Sequence, residues 1–73
     1  MAQIYTRLLT RRVNNSGDIG WHKGRVFISE VFRFEELGFE EVQEDFYKVF
    51  FRDIEIGEFE VEALRFRPVQ VHR

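Results

Sequence analysis

Apolar and polar positions alternate along much of this chain. Tyr47, Val49 and Phe51 alternate with Lys48, Phe50 and Arg52, and Ile54, Ile56, Phe59 and Val61 alternate with Glu55, Glu58, Glu60 and Glu62. This is the two-residue period of a strand with one buried face. Phe50 interrupts the polar side of the first run and predicts cover on both faces there. Gly57 stands where the second alternation slips by one residue, as at a bulge or sharp bend. Residues 19–21 and 25–28 flank His22, Lys23 and Gly24, a pattern that predicts a hairpin turned at Gly24. After Gly38, residues 39–43 predict a further strand, with turns at Glu44 and Asp45 and at Arg52 and Asp53.

The remaining stretches are less regular. In residues 3–13 the spacing of Ile4, Tyr5, Leu8, Leu9 and Val13 suits either a strand or a helical turn. Asn14, Asn15, Ser16, Gly17 and Asp18 predict a tight turn, since each tolerates turn or left-handed backbone. Val31, Phe32, Phe34 and Leu37 have helical spacing, but so small a chain rarely spares an isolated helix, and residues 29–37 are predicted to be an irregular crossover. Pro68 is expected to end the folded part, placing it at about residues 5–67 with a loose tail over 68–73. Short strands, frequent turns and almost no helical signal predict an all-β domain, a small SH3-like antiparallel barrel of about five or six strands. Closure would remove exposed edges from a chain rich in Phe.

Composition narrows the class. The 73 residues leave room for one domain with a modest core. There is no cysteine, so neither a disulfide nor a thiolate metal site can compensate for that small core, and a reducing compartment is the natural setting. Nine Phe, two Tyr and one Trp must supply the buried area instead. No window approaches the roughly 18 apolar residues of a membrane span. Arg7, Arg11 and Arg12 are not followed by the apolar stretch of a secretory signal. The expectation is a soluble, cytoplasmic protein with no membrane partner.

The net charge of -2 hides a division along the chain. Residues 1–33 carry six basic side chains against two acidic ones, residues 34–62 carry two basic against eleven acidic, and residues 63–73 add three arginines. Such segregation can steer a polyanion to one face even when the total is negative.

Little in the chain resembles catalytic machinery. Glu55, Glu58, Glu60 and Glu62 sit at the polar positions of a strand and are most simply a solvated face. A metal cluster built on Asp45, Asp53 and neighbouring Glu residues lacks a Gly-punctuated calcium loop and any paired histidine. His22 falls in the hairpin turn and His72 in the tail, with no third ligand placed by the sequence. Neither Ser16 nor Ser29 has a neighbouring His base, and no Gly-rich phosphate loop precedes a helix. No enzyme activity, metal or cofactor is therefore expected.

The basic residues are the candidate site. Arg11 and Arg12 close the first segment, Lys23 and Arg25 flank Gly24, and Arg65 and Arg67 follow the last predicted strand. A barrel would bring these six together. Guanidinium groups match phosphate with paired hydrogen bonds, and each neutralised phosphate releases counterions. The competing expectation is that the arginines pair with the acidic middle of the chain. Trp21 is expected as a core or rim anchor; if exposed, it would stack on an unpaired base. His22, in the turn, is expected to touch a partner. Phe32 and Phe34 would mark a protein contact if exposed.

One family resemblance runs through these residues. Gly17, Asp18, Ile19, Gly20 and Trp21, then Gly24 through Glu30, then Leu37, Gly38, Phe39, Glu40, Glu41 and Val42, then Tyr47 through Phe51, and Ile56 with Gly57, together resemble the C-terminal domain of IS481-type DDE transposases. The likeness covers most of residues 13–68. Each piece is common alone, whereas their order is moderately specific. In that family a small strand-rich module follows an RNase H-like catalytic core. The resemblance implies a non-catalytic DNA-binding accessory domain that contacts the DNA backbone with low sequence specificity and helps assemble the recombination complex. The catalytic Asp, Asp and Glu of the core need a much larger fold than this chain supplies. The chain departs from the pattern in a hairpin one residue longer, and in its acidic middle, which argues against a surface that grips phosphate all round. The alternative is a protein-interaction or self-association module, meeting other transposase subunits or a second copy through its acidic strands and aromatic crossover. A third reading is a freestanding regulator whose acidic face mimics DNA.

Overall fold

Where apolar residues recur at every second position, the backbone is extended and buries one face. The computed structural model describes residues 8–22 and 24–69. They form seven strands: β1 (Leu8–Arg12), β2 (Asp18–Trp21), β3 (Gly24–Phe27), β4 (Glu36–Gln43), β5 (Phe46–Phe51), β6 (Ile54–Glu60) and β7 (Arg65–Pro68). A single 3-10 turn spans Glu30–Phe32. The all-β class expected from the pattern is observed. In β5, Tyr47 and Val49 are buried while Lys48 and Phe50 stay partly exposed, as the alternation requires.

The architecture is two open sheets rather than one closed barrel. Five strands pair antiparallel in the order β1-β4-β5-β6-β7, and β2 and β3 form a separate hairpin. The hairpin lies across the larger sheet with β3 beside β7 and β2 beside β1, without joining either edge as a strand ladder. Two features of the chain explain why the expected cylinder stays open. The hairpin strands are only four residues each, and β7 ends on Pro68, which has no N–H to offer a neighbour.

Side chains rather than a continuous ladder therefore hold the two sheets together. Leu37 and Phe39 from β4, Val49 from β5 and Phe59 from β6 meet Ile19, Trp21 and Val26 of the hairpin, all of them buried. Trp21 is the centre of this contact. Its ring lies 4.6 Å from that of Phe59 and 5.4 Å from that of Tyr47, both edge-on, and 5.5 Å from Phe39. Edge-to-face pairs of this kind add about 0.5–1.5 kcal/mol each beyond the area they bury.

Two glycines make the topology possible. Gly17 closes the turn that leads into the hairpin with φ of 89°, and a Cβ there would stand 2.9 Å from both the Phe27 ring and the Ser29 backbone. The Asn14 side chain locks the same turn, its Oδ1 accepting from the Ser16 and Asp18 amides. Gly57 lies at the irregularity predicted for it. Val49 is opposite Gly57 but Phe50 is opposite Glu55, so Ile56 is the extra residue of a bulge. A Cβ at Gly57 would run into the Arg67 carbonyl and the Phe66 ring, so β7 can pack there only against glycine.

Other boundaries differ from expectation. The undecided stretch near the start is a strand over its described part, β1. Gly24 does not make the hairpin turn; it opens β3 opposite Trp21. Gly38 does not precede a strand but sits inside β4. The crossover predicted over residues 29–37 is irregular only over residues 29–35, since β4 begins at Glu36, with Ser29 Oγ accepting from the Val31 amide at 3.1 Å. The largest correction is at the end. Pro68 does not terminate the folded part: it belongs to β7 opposite Gly57, and the Val69 amide donates to the Ile56 carbonyl at 3.0 Å. The tail is thus described and ordered into the sheet as far as Val69; the rest of it lies outside the described residues, as does the chain before Leu8.

Candidate nucleic-acid interface

Strand alternation decides where each candidate arginine goes. In β1, Leu9 faces the core and Leu8, Thr10 and Arg12 face out, so Arg11 is turned inward. Its guanidinium carbon rests 4.9 Å from the centroid of the Trp21 ring, within the range of a cation–π contact. One Nη1–H donates to the Thr10 carbonyl at 2.8 Å. The residue opposite Arg11 on β4 is Leu37, which carries no charge. His22 is exposed beside this pair, its ring edge-on to Trp21 at 5.9 Å.

Trp21 itself is only 8% exposed. With three core aromatics around it and Arg11 over it, the ring has no face free for an unpaired base. The anchor expectation holds, and the stacking role does not.

The other arginines do not join Arg11 in one patch. Arg25 is exposed on β3 opposite Gly20, and it leaves the hairpin by the face opposite Trp21. Arg12 points outward opposite Glu36 and donates through Nη1 to the Phe34 carbonyl at 2.9 Å. Arg65 and Arg67 do not follow the last strand but are exposed residues of β7, opposite Glu60 and Glu58. Arg67 lies 3.4 Å from a Glu60 carboxylate oxygen. Lys23 lies outside the described residues. The structure therefore groups Arg11, Trp21 and His22, places Arg25 on the other side of the same hairpin, and sends Arg12, Arg65 and Arg67 to the outer face of the large sheet.

That outer face has a charge order the linear sequence conceals. Glu40, Lys48, Glu58 and Arg67 are successive cross-strand neighbours over four strands, so the signs alternate. Opposite charges facing each other across strands stabilise the sheet by a few tenths of a kcal/mol to about 1 kcal/mol per pair. Most of these side chains still stand apart. Among the described residues the Arg67–Glu60 pair is the one ion pair within 4.0 Å. The internal pairing expected for all the candidate arginines is thus realised as a direct contact at Arg67, and Arg11 and Arg25 have no acidic residue opposite them.

Of the two crossover aromatics expected to mark a contact if exposed, Phe34 is the exposed one, and its backbone is what the sequence did not show. It sits in the crossover with φ of 67°, a left-handed backbone rare for an aromatic residue, and the residue is 60% exposed. Two hydrogen bonds hold it there: its amide donates to the Val13 carbonyl at 2.8 Å and its carbonyl accepts from Arg12. Val31 beside it is 83% exposed, while Phe32 turns inward onto Phe51 at 5.1 Å. No turn residue at position 34 signals this conformation.

Asp45 and Asp53 occupy the turns at opposite ends of β5 and are separated by its length. Among the described residues no group of three or more His, Asp or Glu side chains is placed to hold a metal ion, and no helix is long and apolar enough to cross a membrane. Against protein-family models, curated proteins and solved structures alike, the chain finds no match. The resemblance to the transposase C-terminal domain accordingly rests on the quoted residues alone.

Proposed function

We propose that this chain is a non-catalytic accessory domain that meets DNA through backbone phosphates at its β2–β3 hairpin, in keeping with its resemblance to the C-terminal domain of IS481-type transposases. The observation that carries this reading is the state of Arg11 and Arg25. They lie on opposite sides of the hairpin, and each stands opposite an uncharged residue with no carboxylate within ion-pair distance among the described residues. Contacts of this kind orient DNA without reading its sequence, because phosphates are the same at every base pair. Arg12, Arg65 and Arg67 serve a different purpose in this reading, balancing the carboxylates of β4 and β6 on the outer sheet. Binding of a short duplex should weaken steeply with salt. A titration that finds no binding at low salt, or an affinity indifferent to salt, removes the proposal.

A second reading is favoured by Phe34. An exposed aromatic held in a left-handed backbone, next to an 83% exposed Val31, is what a protein contact in a multimeric complex would use. Sedimentation over a range of concentrations tests self-association directly. A species that remains monomeric throughout removes a second copy as the partner.

A further inference from the structure

The DNA reading above calls for cations held in place, and one of them has a support built into the core. We infer that Trp21 is a positioning residue that holds the Arg11 guanidinium for a phosphodiester, and that this site takes the backbone of a duplex in preference to the bases of an open strand; the inference rests on the DNA reading.

Arg11 is a charged side chain on the inward face of a strand, a position where a guanidinium normally finds no water and no partner. Here its charge lies over an aromatic ring at 4.9 Å. A guanidinium has five N–H donors, of which one Nη1–H goes to the Thr10 carbonyl. The remaining donors form a planar fork without a carboxylate on it among the described residues. Because the ring limits the orientations the arginine can adopt, less freedom is lost when a phosphate arrives. A lysine would keep the charge but present no fork.

The same contact sets the class of ligand. Proteins that prefer single strands stack bases on exposed aromatic rings. Trp21 is the only tryptophan of the chain, it is buried, and the guanidinium lies over it. No base can use that ring while Arg11 remains there, whereas a phosphate needs only the edge of the guanidinium. A duplex, with its regular double row of phosphates, should therefore bind at least as tightly as a single strand of equal length.

The test titrates the full chain with a short duplex and with one of its strands, labelled so that their anisotropy reports affinity at several salt concentrations, and follows Trp21 emission in the variants that keep Trp21. The wild-type chain should bind the duplex with a change in tryptophan emission. Arg11→Gln should lower affinity about tenfold at low salt and reduce the salt slope by about one. Arg11→Lys should keep the slope and lose about threefold in affinity. Trp21→Phe retains a ring with weaker attraction for a cation and should lose about threefold. In a double-mutant cycle that loss should vanish in the Arg11→Gln background. A purely structural Trp21 would cost the same in both backgrounds, which overturns the inference. So does an Arg11→Gln protein that binds like wild type, or a single strand that binds more tightly than the duplex. A wild-type chain that binds neither nucleic acid at low salt removes the DNA reading itself, a result distinct from these.

Discussion

The hairpin and the β6–β7 ribbon face each other across one core and treat their arginines in opposite ways. On β7, Arg65 and Arg67 stand opposite Glu60 and Glu58, and Arg67 reaches a carboxylate. At the hairpin, Arg11 rests on an aromatic ring and Arg25 stands opposite a glycine. Cross-strand pairing uses charge to favour a register, and a cation so paired has less field left to attract an external anion. A guanidinium over a ring keeps its charge and most of its donors. Proximity in sequence to an acidic segment is thus a poor guide to which arginines are neutralised. The deciding variable is which residue the ladder places opposite each one.

The strongest way to break this contrast is to remove the core contact that seats Trp21. Phe59 is fully buried and its ring centroid lies 4.6 Å from that of the indole. Phe59→Ala should cost about 4 kcal/mol in urea unfolding; a loss below about 1 kcal/mol would mean that the hairpin does not depend on this ring. Next is Gly57→Ala, which sets a methyl group against the Arg67 carbonyl and the Phe66 ring. It should destabilise by about 2–3 kcal/mol, and unchanged stability would show that β7 is not pressed against β6 at that point. Smaller in energy but most direct is a pair of charge deletions read as DNA affinity. Arg11→Gln should lose about tenfold while Arg67→Gln loses about twofold or less. Equal losses would erase the distinction between the two ribbons. The smallest effect is expected for Glu60→Gln, which ends an exposed ion pair and should shift stability by under about 0.5 kcal/mol.

Much of the fold is legible in the alternation. The period-two runs, the hairpin, the turns at positions 44–45 and 52–53 and the bulge beside Gly57 are all in the order of residues. What escaped has a common cause. The connection from β6 to β7 contains neither Gly nor Pro, and Leu64 turns the chain with φ of 50°. Without a turn signal, the polar–apolar–polar run of Arg65, Phe66 and Arg67 passes for a stretch beyond the last strand. Phe34 is similar: a left-handed backbone on an aromatic residue is imposed by hydrogen bonds to Val13 and Arg12, which lie more than a strand away in the chain.

The candidate site divides along the same line. That Arg11, Arg12, Arg25, Arg65 and Arg67 carry the basic character is plain from composition. Which of them share a surface is not, because adjacent residues of a strand point to opposite faces, and the partner opposite depends on a register set by distant strands.

By itself the sequence determined an all-β chain, its aromatic core, the turn at Gly17, the bulge at Gly57 and its stock of arginines, since local period, volume and backbone freedom are properties of residues and their neighbours. Only the tertiary structure decided that the sheets stay open, that Trp21 carries Arg11, and that Arg67 meets Glu60. Those outcomes depend on how separate strands come to lie across from one another, which no local pattern encodes.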